Sequence, residues 1–381
     1  MPFNILVVVE KNSWMDFHLA DSLVCMGHTV TRFYFGNCVN EFYGYKRRQE
    51  QIEKNHALLT TAKKLQDTSG LDLIFCYVYD DFLLPKYAEA LSHLNVPMVN
   101  YNVDMPSHWF RQIRIAPYFD IMLCAERRNM EHLARYAKKV FYFPMAARSL
   151  QSNKVSISSE KKYAVTFLGT AFPCRRRIIA ELVKSSIPLS IFGKCWDSVK
   201  SDDYIRNTSQ VLFYALHYVW PRFKAEGLGD LWKSFLRYCS PHHKTEFFAS
   251  TQSNIFKGEL PAENMITLFQ QSKINIGLTR YIDDDPNIFG HCQMKLRDFE
   301  VPMAGGFYLV EKSPGYEEMF VDGEEVVMWR TLPELIEKIH FYLKHDDERE
   351  TIASRGQKRA MRDHTWTQRF QSLFTELALH E

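Results

Sequence analysis

The feature that constrains this chain most is an alternation of short apolar runs with helical periods, begun at residue 4 and begun again at residue 163. Residues 4–9, NILVVV, are apolar at every position after the first and rich in β-branched side chains. Such a run suits a strand buried on both faces, as strands of parallel sheets are. Residues 14–26 then place Phe17, Leu19, Ala20, Leu23 and Val24 at helical spacing; Gly27 stops the helix and residues 28–35 start a second strand. Strand, helix and strand make a right-handed crossover unit. The pattern continues with helices over 45–68, 87–95 and 129–137 and strands over 71–79, 97–103, 119–125 and 139–146. It predicts an open, doubly wound sheet.

Residues 149–162, SLQSNKVSISSEKK, are polar and serine-rich and read as a linker. The alternation then restarts: strand 163–169, helix 175–186, strand 187–193, a short strand over 254–260, helix 263–272 and strand 273–279. A short helix closed by a glycine pair follows within 292–311, then a strand over 307–310, a strand over 324–329, and helices over 331–345, 347–363 and 364–379. Residues 197–250 break the pattern and read as an inserted helical subdomain. The expected fold class is α/β, with two Rossmann-like doubly wound domains at 1–148 and 163–364. At 381 residues the chain is too long for one typical core, which agrees with two domains.

A net charge of +2 leaves no global field for nucleic acid or a membrane surface. The N-terminal apolar run is too short for a signal peptide, and no stretch reaches the roughly 20 apolar residues of a spanning helix. The eight cysteines are scattered, with no C-x-x-C and no zinc spacing, so reduced, packed thiols and a cytoplasmic setting are expected. No metal is expected; Asp283, Asp284 and Asp285 read as a solvated loop. The loop after the first strand, EKNSW, is not G-x-G-x-x-G, which argues against a dinucleotide cofactor.

Chemistry concentrates in residues 292–311, CQMKLRDFEVPMAGGFYLVE. Lys295, Arg297 and Glu300 crowd a helix start, and Gly305 allows a tight turn. Two cations beside a positive helix end suit a phosphorylated, hydroxyl-rich ligand. The plain alternative is a solvated ion-pair face formed by Lys295, Arg297, Asp298 and Glu300. A second anion site is expected where Gly169 and Thr170 end a strand and Arg175, Arg176 and Arg177 open a helix. In the first domain the strand ends carry Glu10 and Lys11, Tyr79 to Asp81, Asn102 to His108, and Glu126. Asp104 is the most pointed of these. A carboxylate there can act as a base or bind sugar hydroxyls, or, with Ser107, it can cap the next helix. His18 and His28 read as structural.

The chain resembles GT-B glycosyltransferases of the group 1 type, in the branch that includes the spore maturation protein CgeB. FLGTAFPCRRRIIAEL resembles that family's strand, Gly-Thr and Arg-helix segment. FKGELPAENMITLFQQSKINIGLT and LRDFEVPMAGGFYLVEKSPGYEEMF resemble its central runs, and the terminal segment with Arg369 its ending. The first domain is similar more loosely, through strand order and NVDMP. The resemblance implies two domains across a cleft, with a nucleotide-diphospho-sugar (a UDP-sugar or GDP-sugar) on the second domain and an unknown acceptor on the first. It implies Glu300 at the ribose, Arg297 and Lys295 near the diphosphate with Arg176 opposite, and the backbone around Phe256, Lys257 and Gly258 facing the base. It implies a closing helix, 365–381, that packs back on the first domain, with no metal and no separate cofactor; Asp104, from its strand-end position, is expected to join Arg297 and Lys295 in catalysis. A hexosyl transfer of retaining type is expected. Relatives often carry a Glu-x7-Glu pair; here Cys292 stands at the first position and Glu300 at the second. The competing reading is a non-catalytic sugar-nucleotide or glycan-binding protein. The aromatic-basic stretch 204–240 suggests peripheral membrane contact, or an extra packing layer.

Overall fold

The computed structural model describes residues 2–10, 15–36, 45–103, 108–149, 160–196, 253–280 and 292–379. Asp104, Lys11, most of the linker, the insertion at 197–250 and the Asp283–Asp285 triplet lie outside the described residues. The described chain divides into two compact units. One holds residues up to Pro144 together with the segment from Arg369 onward; the other holds Met145 through Gln368.

The first unit is built on a six-stranded parallel sheet in the order β2-β1-β3-β4-β5-β6. Its strands are β1 Asn4–Val9, β2 Thr29–Tyr34, β3 Leu73–Tyr77, β4 Met98–Asn102, β5 Ile121–Cys124 and β6 Val140–Tyr142. β1 and β3 are buried along almost their whole length, as an apolar run covered on both faces must be. Between the strands run a π turn Asp16–Ala20 leading into α1 Asp21–Cys25, then α2 Tyr45–Ser69, α3 Pro85–Ser92 and α4 Met130–Ala134. α3 opens with proline after extended Leu84, where a missing N–H costs nothing.

The second unit has a five-stranded parallel sheet, order β11-β10-β9-β7-β8. The strands are β7 Tyr163–Leu168, β8 Leu189–Phe192, β9 Ser272–Gly277, β10 Tyr308–Glu311 and β11 Val327–Trp329. The helices are α5 Pro173–Lys184, α6 Met265–Gln271, α7 Arg297–Met303, α8 Leu332–Tyr342 and α9 Asp346–Asp363; α10, Trp366–Glu376, follows and from Arg369 onward belongs to the first unit. Thr331 caps α8 by accepting from the Glu334 N–H. Gly305, at φ 78°, ends α7 in the left-handed region that glycine enters without strain.

Two expectations need correction. The short strand over 254–260 is a 3-10 turn, Ser253–Ile255, followed by a single bridge from Phe256 to Ile191. An apolar run that pairs at one residue only cannot propagate a ladder. The helix of the 292–311 stretch is shorter than its spacing suggests, so Lys295 precedes its first turn.

α10 carries Phe370 and Phe374 into the first unit. Phe370 meets Phe75 at 5.6 Å and Phe143 at 6.0 Å between ring centroids, and Phe374 meets Phe3 at 5.2 Å. Arg369 donates to the Pro144 carbonyl at 3.1 Å.

Candidate functional site

In the second unit, β8 lies on one side of β7 while β9, β10 and β11 run out on the other. The chain therefore leaves β7 and β9 in opposite directions, and a crevice opens outside their carboxyl ends. A cavity of about 430 Å³, its open mouth included, sits there. Thr166 to Leu168 of β7 and Asn275 to Leu278 at the end of β9 form its floor, and Arg175, Lys295, Arg297, Asp298 and Tyr308 stand around it.

The floor is fixed by small residues and one amide. Asn275 donates to the carbonyls of Phe269 and Phe307 at 3.0 and 3.2 Å and accepts from the Thr166 hydroxyl at 3.0 Å. Gly277 has a reason to lack a side chain, since a Cβ there would lie 2.4 Å from the Tyr308 hydroxyl. That space lets the phenol reach Asp298.

Three cations line the cavity. Arg175 projects from the first turn of α5 and donates to the carbonyls of Thr170 and Leu278 at 3.0 and 3.2 Å. Its guanidinium lies 5.5 Å from the Phe167 ring and 5.0 Å from the Phe172 ring. Among the described residues no carboxylate pairs with it, and burial pulls its pKa below the ordinary value. Arg297 ion-pairs with Glu300 one turn on and lies over the Phe269 ring at 5.6 Å. Lys295 is held through its backbone, whose N–H donates to the Asp298 carboxylate at 2.8 Å. Asp298 is completely buried, and burial pushes its pKa to about 7. Those facts remove Asp298 from any solvated face.

Arg176 turns the other way. It donates to the Cys195 carbonyl and stacks 5.7 Å from the Trp196 ring. Gly169 is hydrogen-bonded on both sides, its N–H to Phe192 and its carbonyl from the Trp196 indole at 2.8 Å. Thr170 contributes its carbonyl to Arg175. Trp196 stacks on Phe256 at 5.8 Å. Next along the chain the Lys257 N–H bonds Ile191, and Gly258, at φ 78° with open space where a Cβ would sit, accepts from Gly193. Gly305 faces Gln357 of α9 and does not line the cavity. The structure thus gathers Lys295, Arg297 and its partner Glu300, and adds Arg175, Asp298 and Tyr308. In a run of three arginines the 100° step per residue decides which one faces the crevice, and spacing alone does not choose. The signal for Asp298 was its place three residues after Lys295, where a carboxylate reaches back to an open N–H.

Cys292 is fully buried with its thiol pushed up to about 12, next to Glu311. Glu311 ion-pairs with Arg280 at 2.5 Å, both side chains only 1% exposed, and also accepts from the Thr279 N–H at 3.1 Å. That network pins the start of the 292–296 segment to β9 and β10.

In the first unit, Asp81 pairs with Arg111 at 2.6 Å, and Arg111 lies 4.1 Å over the Tyr79 ring. Burial and the Asp81 charge push Asp80 to about 7. Glu126 is buried near Arg128 at 3.5 Å. His28 accepts from the Phe3 N–H and stacks on its ring.

No described helix is long and apolar enough to cross a membrane. No curated protein sequence matches the chain. Among solved structures, HepE of Anabaena, crystallised with UDP and glucose, is 14% identical, covers 99% of each chain and has a TM-score of 0.59. A glycosyltransferase from Rickettsia africae is 9% identical over 100% of each chain, also at 0.59. Sucrose-phosphate synthase from Thermosynechococcus elongatus is 12% identical over 99% of each chain, at 0.56. These likenesses show the fold, which is GT-B. A family model described as glycosyl transferase-like matches residues 175–375, more than half of the sequence and the part that holds the three cations of the crevice. The chain therefore belongs to the glycosyl transferase-like family.

Proposed function

We propose that the second unit binds a nucleoside-diphospho-sugar in the crevice beyond β7 and β9, and that the chain passes the sugar to an acceptor hydroxyl carried by a glycan, protein or lipid. The observation that carries this reading is Arg175, a part-buried guanidinium that lines a cavity with Lys295 and Arg297 and has no carboxylate partner among the described residues. A diphosphate supplies the missing charge, and cations held in a water-poor crevice stabilise it as the leaving group. Side chains do that work here without a metal. Arg175 takes the place that the resemblance gave to Arg176. Glu300, tied to Arg297 at the crevice edge, is suited to the ribose hydroxyls. UDP-sugars come first as donors, because HepE was crystallised with UDP and with UDP-glucose.

The finer reading follows the resemblance: the CgeB-containing branch, hexosyl transfer and retention of the anomeric configuration. Proton NMR of the product's anomeric centre decides the last point. The test of the main reading is a thermal-shift titration with UDP, GDP, ADP and CMP. A diphosphate should raise the melting temperature and CMP should not. If none does, the crevice is not a nucleotide site. Binding with no release of diphosphate from any donor, across a pool of acceptors, would assign a binding protein instead.

A further inference from the structure

Asp298 is the one carboxylate that lines the cavity among the described residues. It has no solvent exposure. One oxygen accepts from the Tyr308 hydroxyl at 2.7 Å and the other from the Lys295 N–H at 2.8 Å. Tyr316 donates to its main-chain carbonyl at 3.3 Å. The charges facing it are Lys295 from the preceding segment, Arg175 from α5, and Arg297 on its own helix, the last already paired with Glu300. Glu311, further along β10, is neutralised by Arg280.

A diphosphate entering this cavity meets the cations and this carboxylate together. In a water-poor site, repulsion between the carboxylate and the phosphate oxygens is strong. Protonation removes it. A protonated Asp298 would also donate to the Tyr308 oxygen and turn the phenol O–H toward the cavity, adding a donor for a phosphate oxygen.

We propose that Asp298 couples donor binding to proton uptake: the crevice takes the nucleoside-diphospho-sugar with Asp298 as the carboxylic acid, Tyr308 relaying its proton toward the phosphates. The proposal rests on the donor-site reading. The resting carboxyl, held at about 7 by burial against the pull of its two donors, is poised to make that change near neutrality. Linkage then requires the converse, that donor affinity falls as pH rises.

Calorimetric titration with UDP-glucose, whose diphosphate diester does not titrate near neutrality, tests this. Wild-type affinity should weaken about thirtyfold between about pH 6 and about pH 8.5. Runs in buffers of different ionisation enthalpy should show close to one proton taken up per ligand above neutrality. Asp298→Asn should bind with no pH slope and no uptake. Tyr308→Phe, which removes a donor favouring the carboxylate, should move the uptake window to higher pH and keeps the test open if the first variant does not fold. A flat wild-type affinity without proton exchange overturns the proposal, as does undiminished uptake in Asp298→Asn. No binding of UDP-, GDP- or ADP-glucose at any pH overturns the donor reading itself, and the proposal with it.

Discussion

At the scale of the residue, two part-buried groups invite measurement. Arg175 gives two of its donors to carbonyls, yet among the described residues no carboxylate forms an ion pair with it. Removing a charge-assisted contact costs about 1.5–3 kcal/mol. Arg175→Met should therefore weaken UDP binding by about 10- to 100-fold in a calorimetric titration. Arg176→Ala, whose guanidinium reaches Cys195 and Trp196 and does not line the cavity, should change it by less than about threefold. Asp80 offers a test of stability. Its folded pKa lies above its ordinary value, so the folded state holds the proton more tightly than the unfolded chain. The cost of burying the charge is complete above about pH 7 and disappears as pH falls toward the ordinary carboxylate value. Asp80→Asn should raise the melting temperature at about pH 8, a gain on the order of 1–3 kcal/mol, and progressively less on acidification. An equal effect at both ends of the range would mean that burial does not hold this carboxyl.

At the scale of the element, the turn after β8 has little tolerance for a side chain. Gly193 has φ 133°, and a Cβ there would lie 2.2 Å from the Gly169 carbonyl oxygen, a backbone atom that cannot step aside. The same carbonyl holds the Trp196 indole. Gly193→Ala should cost about 2–4 kcal/mol in urea unfolding and shift Trp196 fluorescence by breaking that bond. Most elements were legible from the sequence because each has a strong period of its own: NILVVV and KINIGLT could hardly be anything but buried strands. The stretch NIFKGEL misled because its apolar residues mimic a strand while only Phe256 finds a partner. The 292–311 stretch announced a charged site, since Lys295 and Arg297 flank a helix start. It could not announce Tyr308, which comes from the far side of β9 only because Gly277 leaves room. Contacts of that kind are set by packing across strands and leave no local spacing to read.

At the scale of the whole molecule, the first unit is discontinuous. Its sheet is finished before residue 145, yet the aromatic cover over β3 arrives with Phe370 and Phe374. Phe370→Ala should destabilise that unit by about 3–5 kcal/mol. Hydrogen exchange should show the loss in β1 and β3 while protection in β7 and β9 stays near wild type; equal losses in both sheets would contradict the division. The order in which the chain leaves the ribosome then matters. The first sheet is synthesised early and must wait, with the face around Phe75 and Phe143 uncovered, while more than two hundred further residues are added. The second unit has all its strands before α10 emerges. A nascent chain stalled short of Phe370 would carry one finished half and one half with an open aromatic face, the kind of surface that chaperones hold and proteases sample. Release of the completed helix closes that face, so completion of the first unit is tied to a segment made more than two hundred residues after its sheet.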